Sequence, residues 1–377
     1  MRILQVNKYY SPDVGGVETV CQQYSEFLAN EHKVTVLCVH KKFKIKGNID
    51  YINNVRVIRC SSLGTFLSMP ISLTFPFYFI FFYLRCNIIF LHLPFPLVDL
   101  SWFFVSFIKK KVFLVWHSDI VKQGFAKKIL SPLLNFSLKK AHKILVTSPL
   151  MLLYSKSLMH VKDKCVVLPL SINAKKIRDL VSETTTCRTI PELSKYDIID
   201  GLFFGRLCYY KGVDVLIDAL ISLKNEGFNP RVVIAGRGEY EGYVKKALDK
   251  NALDNVVFIN RFLTEQEKYI LVKCSRCFIF PSVEISEAFG ITQLEAMALG
   301  TPVINTNLKS GVPWVSLDGE TGLTVEPKNF DELKNAIRNI LENESLHDVY
   351  SKAAIMRVDN YFDDSVVFDR LGGIICE

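Results

Sequence analysis

The chain has 377 residues, of which 49% are hydrophobic and 22% are charged, and this composition excludes a disordered or fibrous protein. One hydrophobic core seldom serves so long a chain, so two domains of roughly 150 to 200 residues each are predicted. Residues 1–180 carry 25 Lys and Arg against 9 Asp and Glu, whereas residues 181–377 carry 21 against 29. The positive residues form short clusters and no single recognition helix, which argues against nucleic-acid binding.

The ten cysteines are scattered through apolar stretches without the spacing of a disulfide framework. Reduced, buried thiols in a cytosolic protein are therefore expected. Cys274 and Cys277 form a lone C-x-x-C pair without the second pair that a zinc site needs, so a metal or redox role is not favoured there. The N-terminus begins with strand-like alternation and shows no apolar signal core, so secretion is not expected.

In chain order, short β-rich runs alternate with helix-length segments, and a second series of the same kind begins near Ile198. This alternation predicts an α/β fold with two Rossmann-like doubly wound parallel-sheet domains facing a cleft, with ligands at the carboxyl ends of the strands. The predicted boundaries are 1–180 and 198–355, joined by a polar linker over 181–197. A helical segment over 356–377 is expected to pack back toward the first domain.

The stretch from Cys60 to Leu84 has no charged residue. Its solidly apolar part, "FPFYFIFFYL", has only ten residues, whereas a bilayer needs about 20, and Pro70 and Pro76 interrupt the stretch. A membrane span is therefore the least favoured interpretation. A core helix and a helix lying on a membrane surface both stay open.

Basic clusters of the first half lie beside bulky apolar and aromatic residues, as in "HKKFKIK", "IKKKV", "FAKKIL" and "SLKKAHK". Such clusters indicate a face that rests on an anionic membrane surface. A peripheral location on the inner face of the cytoplasmic membrane is predicted.

The stretch "SEAFGITQLEAMALGTPVI" contains two carboxylates, Glu287 and Glu295, among residues typical of a protein interior. It predicts a loop and then a helix that is stopped by a glycine. Phe289, Gly290 and Ile291 open this helix, so their free backbone N–H groups are expected to hold an anion or sugar hydroxyls. Local capping by the two glutamates is the alternative, but capping does not require the second one.

A second constellation, "FFGRLCYYKG", places Gly205, Arg206 and Lys211 after a predicted strand. Two cations and a glycine turn at the end of a strand are suited to holding a phosphate. The glycine spacing matches neither the P-loop nor G-x-G-x-x-G, so the pattern becomes specific only together with the glutamate pair.

These two stretches, with "GGVE" near the N-terminus, closely resemble the retaining nucleotide-sugar glycosyltransferases of family four, which have the two-domain GT-B architecture. The resemblance covers nearly the whole chain and is strongest over 198–330. It implies that Arg206 and Lys211 neutralise the donor diphosphate, that Glu287 lies by the donor sugar, and that Glu295 binds the ribose hydroxyls. It also implies backbone contacts from the start of the glutamate-bearing helix to sugar and phosphate.

In the first half, Gly15 and Gly16 follow the first strand, where glycines let the backbone approach a phosphate. His117 and Asp119 follow another strand in "VFLVWHSDIVKQG". The family often has a histidine at the first of these positions that contacts the donor sugar, whereas a lone histidine at a strand end is otherwise more often structural. Asp119 is a candidate contact to sugar or acceptor.

The sequence has no D-x-D metal signature, so the leaving diphosphate is expected to be stabilised by Arg206, Lys211 and helix dipoles without a metal or other cofactor. The resemblance implies transfer with retention, in which the acceptor attacks from the same face as the leaving group and a diphosphate oxygen accepts its proton. A covalent intermediate through Glu287 is not favoured.

The first donor expectation is GDP-mannose, because "LHLPFPLVDL" and "VWHSDIVKQG" are similar to segments of bacterial surface-polysaccharide mannosyltransferases. UDP-hexoses and dTDP- or GDP-deoxysugars are the alternatives. The expected acceptor is a lipid-linked saccharide in O-antigen, capsule or exopolysaccharide synthesis; the sequence leaves the linkage and the oligomeric state open.

Other functions also stay open at this point. A non-catalytic nucleotide-sugar-binding protein would need Arg206, Lys211 and Glu295 but not His117 or Glu287, and a GT-B epimerase or phosphorylase would share the donor site. A dehydrogenase is less favoured because the first turn lacks G-x-G-x-x-G. Arg237, where many relatives have a smaller or acidic residue, has no explanation from sequence.

Overall fold

The computed structural model describes residues 1–13, 15–66, 69–119, 124–184 and 186–377, with the backbone alone for 124–130. The chain divides into two compact units. The first comprises Met1–Leu168 and Phe368–Glu377, and the second comprises Pro169–Val367.

The first unit is a sheet covered by helices. Its elements within the described residues are β1 (Arg2–Val6), α1 (Gly16–Ala29), β2 (Lys33–Val39), β3 (Asn48–Ile52), β4 (Val55–Cys60), β5 (Thr65–Phe66), β6 (Met69–Pro70), α2 (Phe75–Arg85), β7 (Ile88–Leu93), α3 (Pro96–Phe103), β8 (Lys111–Trp116), α4 (Gly124–Lys140), β9 (Lys143–Val146), α5 (Pro149–Tyr154) and β10 (Cys165–Val167).

The strand order of this sheet is β10-β9-β8-β7-β1-β2-β4-β3 across the described part of the chain. All neighbours are parallel except β3, which runs antiparallel to β4. Every residue of β7 is buried, including its polar residue His92, as expected for a central parallel strand with helices on both faces. The strand order of the sheet reverses at the neighbouring strands β1 and β7.

Helix α2 contains the apolar run for which the sequence left two alternatives, a core helix and a helix lying on a membrane surface. Phe75, Phe79 and Phe82 are buried, whereas Phe77 and Phe81 on the other side of the helix are 75% and 45% exposed. The helix is therefore part of the core on one face only. With 11 residues it is far shorter than a span, and no helix in the described part of the chain is long and apolar enough to cross a membrane.

The second unit is also a parallel sheet between helices. Its elements in the described part of the chain are α6 (Ala174–Leu180), β11 (Ile199–Phe204), α7 (Val213–Asn225), β12 (Val232–Ala235), α8 (Glu241–Lys250), β13 (Val256–Ile259), α9 (Glu265–Lys273), β14 (Ser275–Ile279), α10 (Ile291–Ala298), β15 (Val303–Thr306), α11 (Val312–Val315), β16 (Gly322–Val325), α12 (Phe330–Glu342) and α13 (Glu344–Tyr361).

Its strand order is β13-β12-β11-β14-β15-β16, which is the 3-2-1-4-5-6 order of a doubly wound nucleotide-binding sheet. Two apolar clusters cover the two faces. One includes residues of α6, α9, α10 and α13, and the other includes residues of α7, α8 and α12. Both units thus have the doubly wound α/β fold that the alternating pattern predicted.

The structure draws the boundary between the units differently from the sequence. Residues 181–197 were predicted as a linker, but Cys187, Ile190 and Leu193 are fully buried in the core of the second unit. Helix α6 also belongs to that unit. The polar composition of the stretch concealed three apolar residues, spaced three apart, that anchor it.

The last helix, α14 (Asp364–Cys376), begins in the second unit, and its residues from Phe368 onward belong to the first. There the ring of Phe368 stacks on that of Phe27, with the ring centroids 4.7 Å apart. Apolar contacts of this kind hold the end of the chain on the first unit.

Candidate functional site

The loops that follow β11 and β14 lie at the point where the strand order of the second sheet reverses, because these two strands are neighbours. Ligands of doubly wound sheets bind at the carboxyl side of this point. Gly205 and Arg206 follow β11, and Glu287 lies in the loop between β14 and α10. The two stretches singled out in the sequence are therefore brought to the same sheet edge.

A cavity of about 490 Å³ lies at this edge, beside the ends of β11, β12 and β13. Gly205 and Arg206 line one side, and Gly236 and Lys268 contribute to the others. A Cβ atom at Gly236 would lie 1.9 Å from the carbonyl oxygen of Gly205, and the φ of Gly236 is +148°. Only glycine allows the two loops to approach this closely.

Lys211 and Glu287 form an ion pair, with Nζ and Oε2 separated by 2.6 Å. Their side chains are only 14% and 12% exposed. Nζ of Lys211 also lies 4.9 Å from the centre of the Phe280 ring. The loops after β11 and β14 thus hold a partly desolvated cation and a carboxylate close together.

The second glutamate has its own cation. Nζ of Lys268, on α9, lies 2.5 Å from Oε1 of Glu295, and the hydroxyl of Tyr269 donates to the same oxygen at 3.3 Å. Lys268 also lines the cavity. Both glutamates are therefore held by lysines, and local helix capping is not what satisfies them.

Helix α10 begins at Ile291, with Gly290 as its N-cap at φ +78°. The amide of Ile291 lies in the first turn, where a helix has no preceding carbonyl to accept it. Phe289 has a different role from its neighbours, because its side chain is 3% exposed and packs in the core beside Trp314 and Phe362. Its position in the motif reflects packing as well as any backbone contact.

A buried amide pair that sequence reasoning missed supports this helix. Asn305 Nδ2 donates to Gln293 Oε1 at 2.9 Å and to the carbonyl of Val312 at 3.1 Å. Gln293 Nε2 donates to the carbonyl of Phe289 at 3.0 Å. Both amides are essentially unexposed, so their hydrogen bonds fix the loop before α10 to β15. The "ITQLEA" sequence gives no signal for this, because Gln293 looks like an ordinary surface residue of a helix.

Arg237 now has a structural account. Its Nε donates to Oε1 of Glu241 at 2.7 Å, and the amide of Gly238 donates to the same oxygen at 2.7 Å. These bonds lower the pKa of Glu241. Arg237 therefore fixes the start of α8 while also lining the cavity.

In the first unit, Gly15 and Gly16 lie at the start of α1. Gly16 is the first helical residue, and Gly15 precedes it in extended backbone with φ −179°. No heavy atom lies within 4 Å of where a Cβ of Gly16 would be, whereas a Cβ of Gly15 would overlap Oε2 of Glu18. Oε2 of Glu18 is the end of a flexible side chain that can move aside, so no close backbone approach requires glycine at either position. The preceding residue, 14, lies outside the described residues.

His117 directly follows β8 and is part of a buried polar chain. Its Nε2 lies 2.9 Å from Nδ1 of His92, whose Nε2 lies 2.9 Å from Oε1 of Gln5. The three residues come from β8, β7 and β1, around the reversal point of the first sheet. If the Gln5 oxygen accepts from His92, then His117 Nε2–H donates to His92, and Nδ1 of His117 is left as an acceptor.

Burial keeps both histidines neutral. It lowers the pKa of His117 to about 3, with the charge of Lys8 acting in the same direction. It also lowers the pKa of His92 well below its usual value, and His117 adds to this. His92, Gln5 and Lys8 were not identified from the sequence, because nothing in a single strand shows which strands will be neighbours.

Asp119 does not join this chain. Its Oδ1 accepts a hydrogen bond of 2.6 Å from the hydroxyl of Ser155, which follows α5. Residues 120–123 of the quoted segment lie outside the described residues. The structure thus brings Gly205, Arg206, Lys211, Glu287, Gly290, Ile291 and Glu295 to one edge of the second sheet, and it places His117 at the carboxyl edge of the first.

The lone cysteine pair is not a site. Cys274 and Cys277 are both buried free thiols, and they belong to different apolar clusters, on the two faces of the sheet. Their side chains therefore point away from a common ligand.

Comparison with known proteins adds two family matches. The model of "Glycosyl transferases group 1" matches residues 194–357, and that of "Glycosyltransferase Family 4" matches residues 14–176. The first match spans the cavity and both glutamates. The second contains His92 and His117.

Two curated relatives align over most of the chain. The O-antigen chain mannosyltransferase C of Escherichia coli is 30% identical over 370 residues, which cover 98% of this chain and 96% of the relative. The D-rhamnosyltransferase WbpZ of Pseudomonas aeruginosa is 28% identical over 349 residues, covering 91% and 87%. Among solved structures, the sucrose-phosphate synthase of Thermosynechococcus elongatus superimposes with a TM-score of 0.76 at 18% identity, over 99% of this chain and 98% of that one. At this sequence identity, the structural likeness shows the fold alone.

Proposed function

The chain belongs to the group 1 glycosyltransferases of family 4, and on that premise we propose that it transfers a hexose from a nucleoside-diphosphate sugar to a hydroxyl of a lipid-linked or polysaccharide acceptor. The observation that carries the proposal is the joint placement of Arg206, Lys211, Glu287 and Glu295 at the reversal point of the second sheet. O-antigen, capsule or exopolysaccharide synthesis is the proposed setting, and the name of the Escherichia coli relative, an O-antigen chain mannosyltransferase, supports it.

Arg206 and Lys211 are the proposed partners of the donor diphosphate. Lys211 is already held in a partly buried ion pair with Glu287, so an incoming diphosphate competes with that carboxylate for the ammonium group. As the glycosyl bond breaks, negative charge grows on the leaving diphosphate, and fixed cations there lower the barrier. We propose that these side chains and the first turn of α10 supply this stabilisation without a metal ion.

Transfer with retention is proposed, with attack from the same face as the leaving group. A diphosphate oxygen then accepts the proton of the acceptor hydroxyl, and Glu287 lies by the donor sugar and is not the nucleophile. Neutral His117 contributes a hydrogen bond to a sugar hydroxyl through Nδ1. The contact between His117 and His92 supports this role, because it orients the ring, and Nδ1 is the acceptor when the Gln5 oxygen accepts from His92.

GDP-mannose is the proposed donor, and a UDP-hexose is the alternative. The near full-length likeness to a mannosyltransferase supports mannose, whereas the rhamnosyltransferase relative favours a deoxysugar donor. The cavity of about 490 Å³ beside Glu295 is the proposed place for the nucleoside.

The acceptor is proposed to be lipid-linked, with the enzyme on the inner face of the cytoplasmic membrane. The basic first half and the exposed aromatic face of α2 support this location.

Thermal unfolding with GDP, UDP, ADP, dTDP and CDP, each with and without EDTA, tests the donor proposal. A ligand at 100 times its Kd stabilises the protein by about 2.7 kcal/mol, so the preferred base gives a clear rise in Tm that EDTA leaves unchanged. An unchanged Tm with all five would contradict the donor site. The anomeric configuration of the product, read by NMR, then separates retention from inversion.

A non-catalytic sugar-binding protein is the second candidate. It would show the same rise in Tm but no turnover with any acceptor. The Lys211–Glu287 ion pair favours the enzyme, because a binding protein gains nothing from a carboxylate that competes with the diphosphate.

A further inference from the structure

A second cavity, of about 460 Å³, lies in the first unit and is not part of the candidate donor site. We call it the basal cavity. Arg2 and Lys33 line it from the first residues of β1 and β2, Arg56 from the second residue of β4, and Arg85 from the end of α2. None of its lining residues is an aspartate or glutamate.

The four cations of the basal cavity lack carboxylate partners. None of their charged groups lies within 4.0 Å of a carboxylate, counting the residues that the structure describes. Arg56 also lines the cavity, and its Nε is buried and has no hydrogen-bond partner among those residues. Buried polar groups are normally satisfied, so this cavity is suited to an anion that brings acceptor oxygens.

Aromatic rings stand beside these cations. The guanidinium of Arg85 lies 3.6 Å from the centre of the Phe81 ring, and that of Arg56 lies 5.6 Å from the centre of the Phe82 ring. Stacking on a ring fixes the plane of a guanidinium and leaves its N–H groups free to bind a phosphate through two bonds.

The rim of the basal cavity continues into an exposed apolar face. On α2, Phe77, Phe81 and Leu84 are 75%, 45% and 48% exposed. They are spaced four and three residues apart and so share one side of the helix. Just beyond, Phe104 and Phe107 are 62% and 75% exposed. The hydroxyl of Tyr83 donates to the carbonyl of Ile108 at 2.9 Å, which ties that segment to α2.

The basal cavity is remote from the carboxyl ends of the same sheet. Three of its four cations lie near the starts of parallel strands, whereas Lys8 and His117 follow strand ends. A strand rises about 3.3 Å per residue, so Arg2 and Lys8 are roughly 20 Å apart. A ligand in the basal cavity does not overlap the residues proposed to contact the donor sugar.

We propose that the basal cavity binds the phosphate of an anionic phospholipid headgroup while Phe77, Phe81 and Leu84 lie among the upper acyl chains. The proposal rests on the peripheral membrane location proposed above, to which it gives a specific lipid. Cations without internal partners match the charge of the headgroup, and the adjoining aromatic face matches the boundary between headgroups and chains.

Vesicle flotation tests this proposal, with vesicles of phosphatidylcholine alone or mixed with phosphatidylglycerol. Arg2→Gln/Arg85→Gln removes two exposed cations of the cavity, and Lys245→Gln/Lys246→Gln removes two exposed cations of α8 as the matched control. Each basic residue near an anionic surface adds roughly fivefold to binding. The cavity variant is expected to lose about 30-fold in partitioning to the mixed vesicles, and the control to stay within about twofold.

Arg85→Lys separates a built headgroup site from general attraction to the surface. It keeps the charge but removes the fork that holds a phosphate through two bonds, so weaker partitioning than wild type supports the site, and unchanged partitioning contradicts it. Equal losses in the cavity variant and the α8 control would also overturn the proposal. Phe77→Ser is expected to weaken binding to both kinds of vesicle.

Two further readouts keep the outcomes distinct. The rise in Tm with nucleoside diphosphate is expected to be the same in the cavity variant and wild type, so failure of the donor proposal is seen separately. Inorganic phosphate is the probe for a soluble ligand. If it raises the Tm of wild type but not of the cavity variant, while mixed vesicles bind no better than neutral ones, the cavity is a soluble-phosphate site and the headgroup proposal is wrong.

Discussion

At the scale of single residues, the Lys211–Glu287 ion pair sets up opposite effects on binding and on turnover. The two side chains are nearly buried and 2.6 Å apart, so the carboxylate competes with a diphosphate for the same ammonium group. Glu287→Gln removes the competing charge and is expected to tighten nucleoside-diphosphate binding by up to about 1 kcal/mol. Turnover is expected to fall about 100-fold, because the group beside the reacting sugar is lost.

Isothermal titration with the diphosphate and steady-state kinetics of the same Glu287→Gln sample give both quantities. Lys211→Met is the companion variant, and it should weaken both binding and turnover. Equal Kd values for Glu287→Gln and wild type, with full turnover, would place the pair outside the site.

Glu295 offers a second test at this scale. Charge-assisted hydrogen bonds to ribose hydroxyls imply that Glu295→Ala weakens nucleotide binding by roughly 1 to 3 kcal/mol. The variant also frees Lys268, which is 2.5 Å from the carboxylate and lines the cavity. Lys268→Met therefore serves as the control in the same titration. If it weakens binding as much as Glu295→Ala does, the ribose contact is not needed to explain the loss.

At the scale of elements, the loops that follow the strands depend on close backbone approaches. Gly212 precedes α7 with φ +69°, and a Cβ there would lie 1.9 Å from the carbonyl oxygen of Pro281, in the loop after β14. Gly227 has a similar φ of +78°, but nothing lies within 4 Å of its Cβ position. The two glycines thus separate backbone strain from steric contact between the loops.

Gly227→Ala is expected to cost about 1 kcal/mol of unfolding free energy, from the left-handed conformation alone. Gly212→Ala is expected to cost about 3 kcal/mol or more, because a backbone carbonyl must also move. Urea unfolding measures both values. Gly212→Ala should also weaken diphosphate binding, since Lys211 precedes it. Similar costs for the two variants would show that the approach of the two loops is unimportant for stability.

The elements also show what a single sequence reveals about this fold. The strand, loop and helix around Glu287 and Glu295 were predictable because local signals agree: a β-rich run, a glycine at the start of the helix and a glycine at its end. The partners of these glutamates were not predictable in the same way. Lys268 is 27 residues from Glu295, and only the packing of α9 beside α10 brings them together.

Contacts between strands were the part that sequence patterns could not supply. Gln5 and His92 are 87 residues apart and meet because β1 and β7 are neighbours. Composition was misleading over 181–197, where many polar residues outweighed the three apolar anchors of the core. The apolar run of α2 predicted a helix but not which of its residues are exposed, since aromatic residues occupy both faces.

At the scale of the whole molecule, the basic first half contains a buried, neutral pair of histidines. Its excess of positive charge makes protonation of His92 and His117 unfavourable in addition to their burial, as Lys8 does for His117. In the unfolded chain both histidines titrate near pH 6.5. The folded protein therefore binds fewer protons than the unfolded chain once the pH falls below that value.

This difference predicts a loss of stability in acid. The contribution of His117 is fully present above pH 6.5 and is lost progressively as the pH falls toward its folded pKa of about 3. Asp99 acts in the opposite direction, because burial raises its pKa to about 7. It is protonated in the folded state, so its contribution grows as the pH falls from 7 toward 4. Asp99 therefore offsets only part of the loss from the two histidines in the wild type, and a variant of one group separates the effects.

His117→Gln removes one of these groups and leaves Asp99 in place. The unfolding free energies of variant and wild type are measured in urea at pH 7.5 and at pH 5. The difference between the two proteins is expected to be about 2 kcal/mol smaller at pH 5, since each pKa unit corresponds to about 1.4 kcal/mol. His92→Gln should show the same trend, because its pKa is lowered by burial too. A difference between variant and wild type that does not change with pH would mean that His117 is protonated in the folded protein, and its proposed role as a neutral acceptor for a sugar hydroxyl would then be wrong.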